Sequence, residues 1–105
     1  MDLQVQGQNT EVHPRWAEMV ERHSGKLVTI YPDLQRIHVT LVHSTHHVRG
    51  AEEVRLVGAL PGETLTVQKS AADMGDAIHA AFRALEAEIH KHVERRRDQS
   101  RRAKR

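Results

Sequence analysis

Ala51-Glu52-Glu53-Val54-Arg55-Leu56-Val57-Gly58-Ala59-Leu60-Pro61-Gly62-Glu63-Thr64-Leu65-Thr66-Val67-Gln68 carries two alternating runs around one turn. In the first, over about 51–59, Val54 and Leu56 take one side and Glu53, Arg55 and Val57 the other. In the second, Leu65 and Val67 alternate with Thr64, Thr66 and Gln68. A period of two with one apolar side is the pattern of a half-buried strand. Leu60-Pro61-Gly62-Glu63 reverses the chain between them, since proline presets φ and glycine accepts a positive φ. A connection this short joins antiparallel neighbours.

Upstream, Gln35-Arg36-Ile37-His38-Val39-Thr40-Leu41-Val42-His43-Ser44 alternates in the same way, with Ile37, Val39 and Leu41 inward. A loop over 46–50 leads it into the hairpin, so it too is expected to pair antiparallel. Before it, Trp16, Met19, Val20, His23 and Leu27 fall on one stripe of an amphipathic helix. Pro14 suits the first helical position, Gly25 weakens the last turn, and Tyr31-Pro32-Asp33 ends it. The chain opens on a short strand, with Leu3 and Val5 on one face of residues 2–7.

Downstream, Asp73 is placed to cap a long helix, and Asp76 adds negative charge at the positive end of its dipole. Met74, Ile78, Ala81, Leu85 and Ile89 form its buried stripe, with Phe82 at the edge. Arg96 falls on the extension of that stripe, so the helix is expected to have left the body by then. The order is β-α-β-β-β-α. A helical crossover from the first strand to the second favours parallel pairing. The expected fold class is α+β, a two-layer domain with a four-stranded mixed sheet and two helices packed on one face. The expected division is a domain over 1–94 and a frayed or disordered basic extension over 95–105.

Composition narrows the function classes. With no cysteine among 105 residues there is no disulfide framework, thiol chemistry or cysteine-type zinc site. One Trp, one Tyr and one Phe make base stacking a minor resource. No apolar run approaches the roughly 20 residues of a membrane helix, and the first residues lack the features of a signal peptide. A cytoplasmic protein with no membrane partner is expected. The last fifteen residues hold eight Lys/Arg against two acids, net +6, while the ninety before them hold eight bases against twelve acids, net −4. An acidic body with a basic handle points to a polyanion, because each neutralised phosphate releases counterions.

Three stretches resemble the ribosome hibernation factors, the family of hibernation-promoting factor and ribosome-associated inhibitor A (the sigma-54 modulation proteins). Leu3-Gln4-Val5-Gln6-Gly7-Gln8-Asn9 is similar to the family's opening strand, and Lys26-Leu27 to its Lys-Leu pair. Asp73-Met74-Gly75-Asp76-Ala77-Ile78 resembles its Asp-Met-Tyr-x-Ala-Ile, with Leu85, Ile89 and Lys91 following at the family's Leu, Leu and Lys. The resemblance covers about residues 2–99. It implies a stress or stationary-phase protein that binds the small ribosomal subunit, its 16S rRNA and proteins, in the mRNA/tRNA channel. It implies inhibition of translation by occupancy, with no cofactor, no small-molecule substrate and no turnover.

The matching basic positions are Lys26, Lys91 and Arg95, and His23 stands where Lys or Arg is usual. Gly75 replaces Tyr, Ser24 an apolar residue, Ala87 a common basic residue and Val93 a Lys. Glu86 and Glu88 put acid where the family surface is neutral or positive. A long-form member carries a second, dimerising domain; this chain reads as a short member and a monomer. The expected RNA-binding set is Arg22, His23, Lys26, Lys91, Arg95, Arg96, Arg97, Arg101 and Arg102, the arginines of the handle meeting phosphates rather than bases.

Nine histidines raise a metal reading. His43, His46 and His47 cluster in sequence, but a site needs three or four convergent ligands. In the long helix His90 and His92 face different ways, and His79 lies eleven residues from His90 with no i, i+4 pair. No metal site is expected. The histidines are instead candidates for a pH response, as unperturbed imidazole titrates near ~6.5. No convergent nucleophile or acid/base pair points to an enzyme. The rival reading is a general RNA-binding module or protein-interaction adaptor on the same fold. The duplex-RNA-binding domain has a related order, but its lysine-rich second helix start is replaced here by Lys69-Ser70-Ala71-Ala72-Asp73.

Overall fold

The computed structural model describes residues 1–44 and 52–103, with side chains to Arg101. The loop expected over 46–50 and the first residue of the third strand lie outside the described residues. The elements run β1 (Asp2–Gln8), α1 (Pro14–Ile30), β2 (Arg36–His43), β3 (Glu52–Leu60), β4 (Glu63–Ala71) and α2 (Met74–Ala103). They form one sheet of order β1-β2-β3-β4. β1 pairs parallel with β2, Val5 opposite Val39. β2–β3 and β3–β4 are antiparallel, with Val39 opposite Leu56 and Leu56 opposite Val67. The mixed sheet is as expected.

That register aligns Leu3, Ile37, Gly58 and Leu65 in one row across the sheet and Val5, Val39, Leu56 and Val67 in the next. Both rows face the helices. Ile37, Val39, Leu41, Val54 and Leu56 are fully buried there with Val20 of α1 and Ile78, Ala81, Leu85 and Ile89 of α2. Burying each large aliphatic chain contributes about 1.5–3 kcal/mol, so these rows hold the helices to the sheet. Gly62, at φ +75°, makes the β3–β4 turn. Gly58 has no side chain because Leu85 occupies that space.

Both helices begin as their residues dictate. Pro14 opens α1, and the N–H groups of Trp16 and Ala17 bond to the His13 carbonyl. Asp73 caps α2: its Oδ1 accepts the Gly75 N–H at 3.2 Å and its carbonyl the Ala77 N–H at 3.0 Å. α1 passes through Gly25 and ends where the Tyr31 N–H bonds to the Leu27 carbonyl. α2 differs from expectation at Arg96. Its guanidinium donates to the Pro61 carbonyl at 3.3 Å, so the helix still lies along the β3–β4 turn there. An arginine can extend a buried stripe by covering backbone at the edge while its head stays wet.

Candidate nucleic-acid interface

Two stripes organise α2. The apolar one meets the sheet. The other consists of His79, Arg83, Glu86, His90, Glu94, Arg97 and Arg101, spaced four, three, four, four, three and four residues apart. That spacing keeps all seven on one face for about 33 Å. All seven are exposed. The stripe begins beside α1, runs past that helix's C-terminal end, and finishes in the basic segment.

The first part of the stripe and α1 enclose a cleft of about 240 Å³ lined by His23, Lys26, His79, Phe82, Arg83 and Glu86. His23 Nε2 and His79 Nδ1 are hydrogen-bonded at 3.0 Å across the two helices. The His23 ring stacks on Phe82, centroids 5.0 Å apart and planes 13° from parallel. Burial, followed by the charges of His79, Lys26 and Arg22, holds His23 below the ordinary histidine value. Neither Lys26 nor Arg83 is ion-paired among the described residues.

Farther along, His90, Glu94 and Arg97 share a groove of about 490 Å³ with Ile30, Tyr31 and Val93. Ile30 is 58% exposed there, large for an isoleucine in a packed domain. The Tyr31 phenol is raised above its usual value by burial, then by Glu86 and Glu94. Arg97 meets Glu94 at 3.6 Å.

The residues expected to bind RNA fall into separate groups. His23 and Lys26 share the cleft, and Arg22 adjoins it on α1 while paired with Glu18 at 3.5 Å. Arg97 and Arg101 lie on the stripe. Arg95 and Arg96 border the β3–β4 turn with Pro61, Gly62 and Glu63, away from the cleft. Lys91 is about a third of a turn around α2 from His79 and is paired with Glu88 at 3.5 Å. Arg102 is helical in its backbone, and its side chain is outside the described set.

His79, Arg83 and His90 lie on this stripe without being among the residues expected from the sequence to bind RNA. The signal was present: eleven residues make about three helical turns, so His79 and His90 share a face. Of the three histidines that cluster in sequence, His43 contacts Glu52 at 2.7 Å, and His46 and His47 lie outside the described residues. Among the described residues no three potential ligands gather, and no helix is long and apolar enough to cross a membrane.

Comparison with known proteins gives a consistent family. The profile described as Sigma 54 modulation protein / S30EA ribosomal protein matches residues 3–97. A ribosomal subunit interface protein from Coxiella burnetii superposes with a TM-score of 0.80 at 21% identity, covering 90% of this chain and 99% of that one. The N-terminal domain of Thermus thermophilus Protein Y gives 0.70 at 24% identity, covering 88% and 99%. At these identities the two structures establish a shared fold. No curated protein sequence matches the chain.

Proposed function

The chain belongs to the Sigma 54 modulation protein / S30EA ribosomal protein family, and on that premise we propose that it binds the small ribosomal subunit and occupies its mRNA/tRNA channel. The observation that carries the reading is the family match over 3–97 together with the exposed stripe from His79 to Arg101, which ends in the basic segment. Within the channel the phosphates of 16S rRNA are the matching polyanion. Arg83, Arg97, Arg101 and Lys26 meet them as point charges and forks, releasing counterions. The folded body then fills space that mRNA and tRNA need.

Translation is inhibited by occupancy, without turnover, by a cytoplasmic monomer acting under stress or in stationary phase. Glu86 and Glu94 interrupt the stripe and favour a bipartite fit, in which the two basic ends meet RNA and the acidic middle meets a basic ribosomal protein or solvent. Chemical footprinting of 16S rRNA with and without the protein tests the site. Protection in the decoding region, lost on adding mRNA and tRNA, is the expected result. Protection confined to the outer surface of the subunit favours the adaptor reading.

A further inference from the structure

The cleft between α1 and α2 contains a side-chain arrangement that neither the family nor the basic handle explains. Two imidazoles from different helices share one hydrogen bond, His23 Nε2 to His79 Nδ1 at 3.0 Å. Beside them stand Lys26 and Arg83, one from each helix. We propose that this cleft is a binding site for a phosphodiester of the RNA backbone, and that it takes up one proton, on the histidine pair, as it binds. The proposal rests on the RNA-binding reading above, which already sets Lys26 and Arg83 against phosphates, and adds to it the hydrogen-bonded histidine pair and a proton.

The shared hydrogen bond decides how many protons the pair can hold. A neutral pair has one N–H between the two nitrogens. A singly protonated pair keeps that bond and strengthens it, because an imidazolium N–H donates to a neutral ring. A doubly protonated pair puts two N–H groups face to face at 3.0 Å and breaks the contact. Uptake therefore stops at one.

The geometry also selects the ring. His23 is stacked on Phe82 and partly covered, whereas His79 is exposed. His23 is held below the ordinary histidine value by burial and by the cations around it. The proton therefore belongs to His79, whose Nδ1–H is fixed on His23. Its other nitrogen, Nε2–H, is left for a phosphate oxygen. Arg83 follows one turn later on the same face, and Lys26 approaches from α1. The charged and titratable groups around the pair are Arg22 and Lys26 on α1, and Arg83 and Glu86 on α2, with Asp76 one turn before His79. Three donors from two helices around one cleft match a phosphodiester, which offers two anionic oxygens. The apolar floor of Phe82 suits the adjoining sugar.

Affinity for purified small ribosomal subunits, measured at pH 7.5 and 6.0 at fixed ionic strength, tests this with wild type and His79→Gln. Glutamine keeps a donor and acceptor for His23 but cannot take the proton. Wild type should bind about fivefold tighter at the lower pH, as expected for one imidazole whose protonated form the ligand prefers. His79→Gln should change less than about twofold on the same basis, the other histidines being common to both proteins. An equal gain in both proteins overturns the proton site and leaves ribosome binding standing. Absence of binding at either pH removes both. In a parallel NMR titration of the free protein, His23 Nε2 should stay unprotonated while His79 carries protons on both nitrogens. Protonation of both rings together overturns the proposal independently of any RNA.

Discussion

Leu85 of α2 stands where a side chain on Gly58 of β3 would be: a Cβ at Gly58 would lie 3.1 Å from Leu85 Cδ1 and 3.5 Å from Cδ2. The helix can sit this low on the sheet only because the strand has no side chain there. Leu85 is itself fully buried in the core, so it has little room to retreat. Gly58→Val should cost about 1–3 kcal/mol by overpacking. Leu85→Ala alone should cost about 2–5 kcal/mol through the cavity it leaves. Combined, they should cost clearly less than their sum, because the valine fills part of that cavity. Urea unfolding of the four proteins measures the coupling, and strict additivity would show that the two residues do not meet.

Ser24 is 1% exposed and its hydroxyl has no hydrogen-bond partner among the described residues. A buried, unsatisfied hydroxyl costs about 1–3 kcal/mol, and serine is also a weaker helix former than alanine. Ser24→Ala should therefore raise stability by about 1 kcal/mol, seen as a higher urea midpoint at unchanged slope. A lowered midpoint would mean that the hydroxyl has a partner in solution.

Tyr31 is the only tyrosine, so absorbance near 295 nm reports its ionisation alone. Burial, Glu86 and Glu94 raise it above the ordinary value of 10.0. A raised phenol is protonated in the folded state at pH values where the unfolded chain has already lost the proton. Stability from this group is thus complete below the unfolded value and declines as pH rises through the folded one. Glu94→Gln should bring the titration back toward 10.0. No movement would leave burial and Glu86 as the causes.

Among the handle arginines, position on α2 should matter more than number. Arg97 and Arg101 lie on the stripe that begins at the inter-helix cleft, whereas Arg95 and Arg96 border the β3–β4 turn and Arg96 is tied to the Pro61 carbonyl. Arg97→Gln with Arg101→Gln should lower the salt slope of ribosome binding by roughly 1.4–1.8, given ~0.7–0.9 per phosphate contact. The pair Arg95→Gln with Arg96→Gln should lower it by less than half as much. Equal losses from both pairs would show that the segment acts as a diffuse charge.

The fold was readable because its strands are half-buried and its turn is chemically explicit. Val54, Leu56, Leu65 and Val67 around Pro61-Gly62 are enough to draw the hairpin, and the rest of the sheet follows from β2 alternating in step. The interface was less readable. Apolar periodicity marks the face a helix buries and leaves its polar face unmarked, so nothing in the pattern distinguishes Arg83 from its exposed neighbours. His23 and His79 lie 56 residues apart, and only tertiary packing brings them together. Arg96 departs from its sequence pattern for a related reason: a polar residue on an apolar stripe signals the end of packing, but its head has the Pro61 carbonyl to reach.

The stripe from His79 to Arg101 should bind the small ribosomal subunit through phosphates. Sedimentation of the purified protein with purified small subunits through a low-salt gradient tests it most directly. The wild-type protein should travel with the subunit and be released when the gradient is run at high salt. A protein that remains at the top of the low-salt gradient would contradict it.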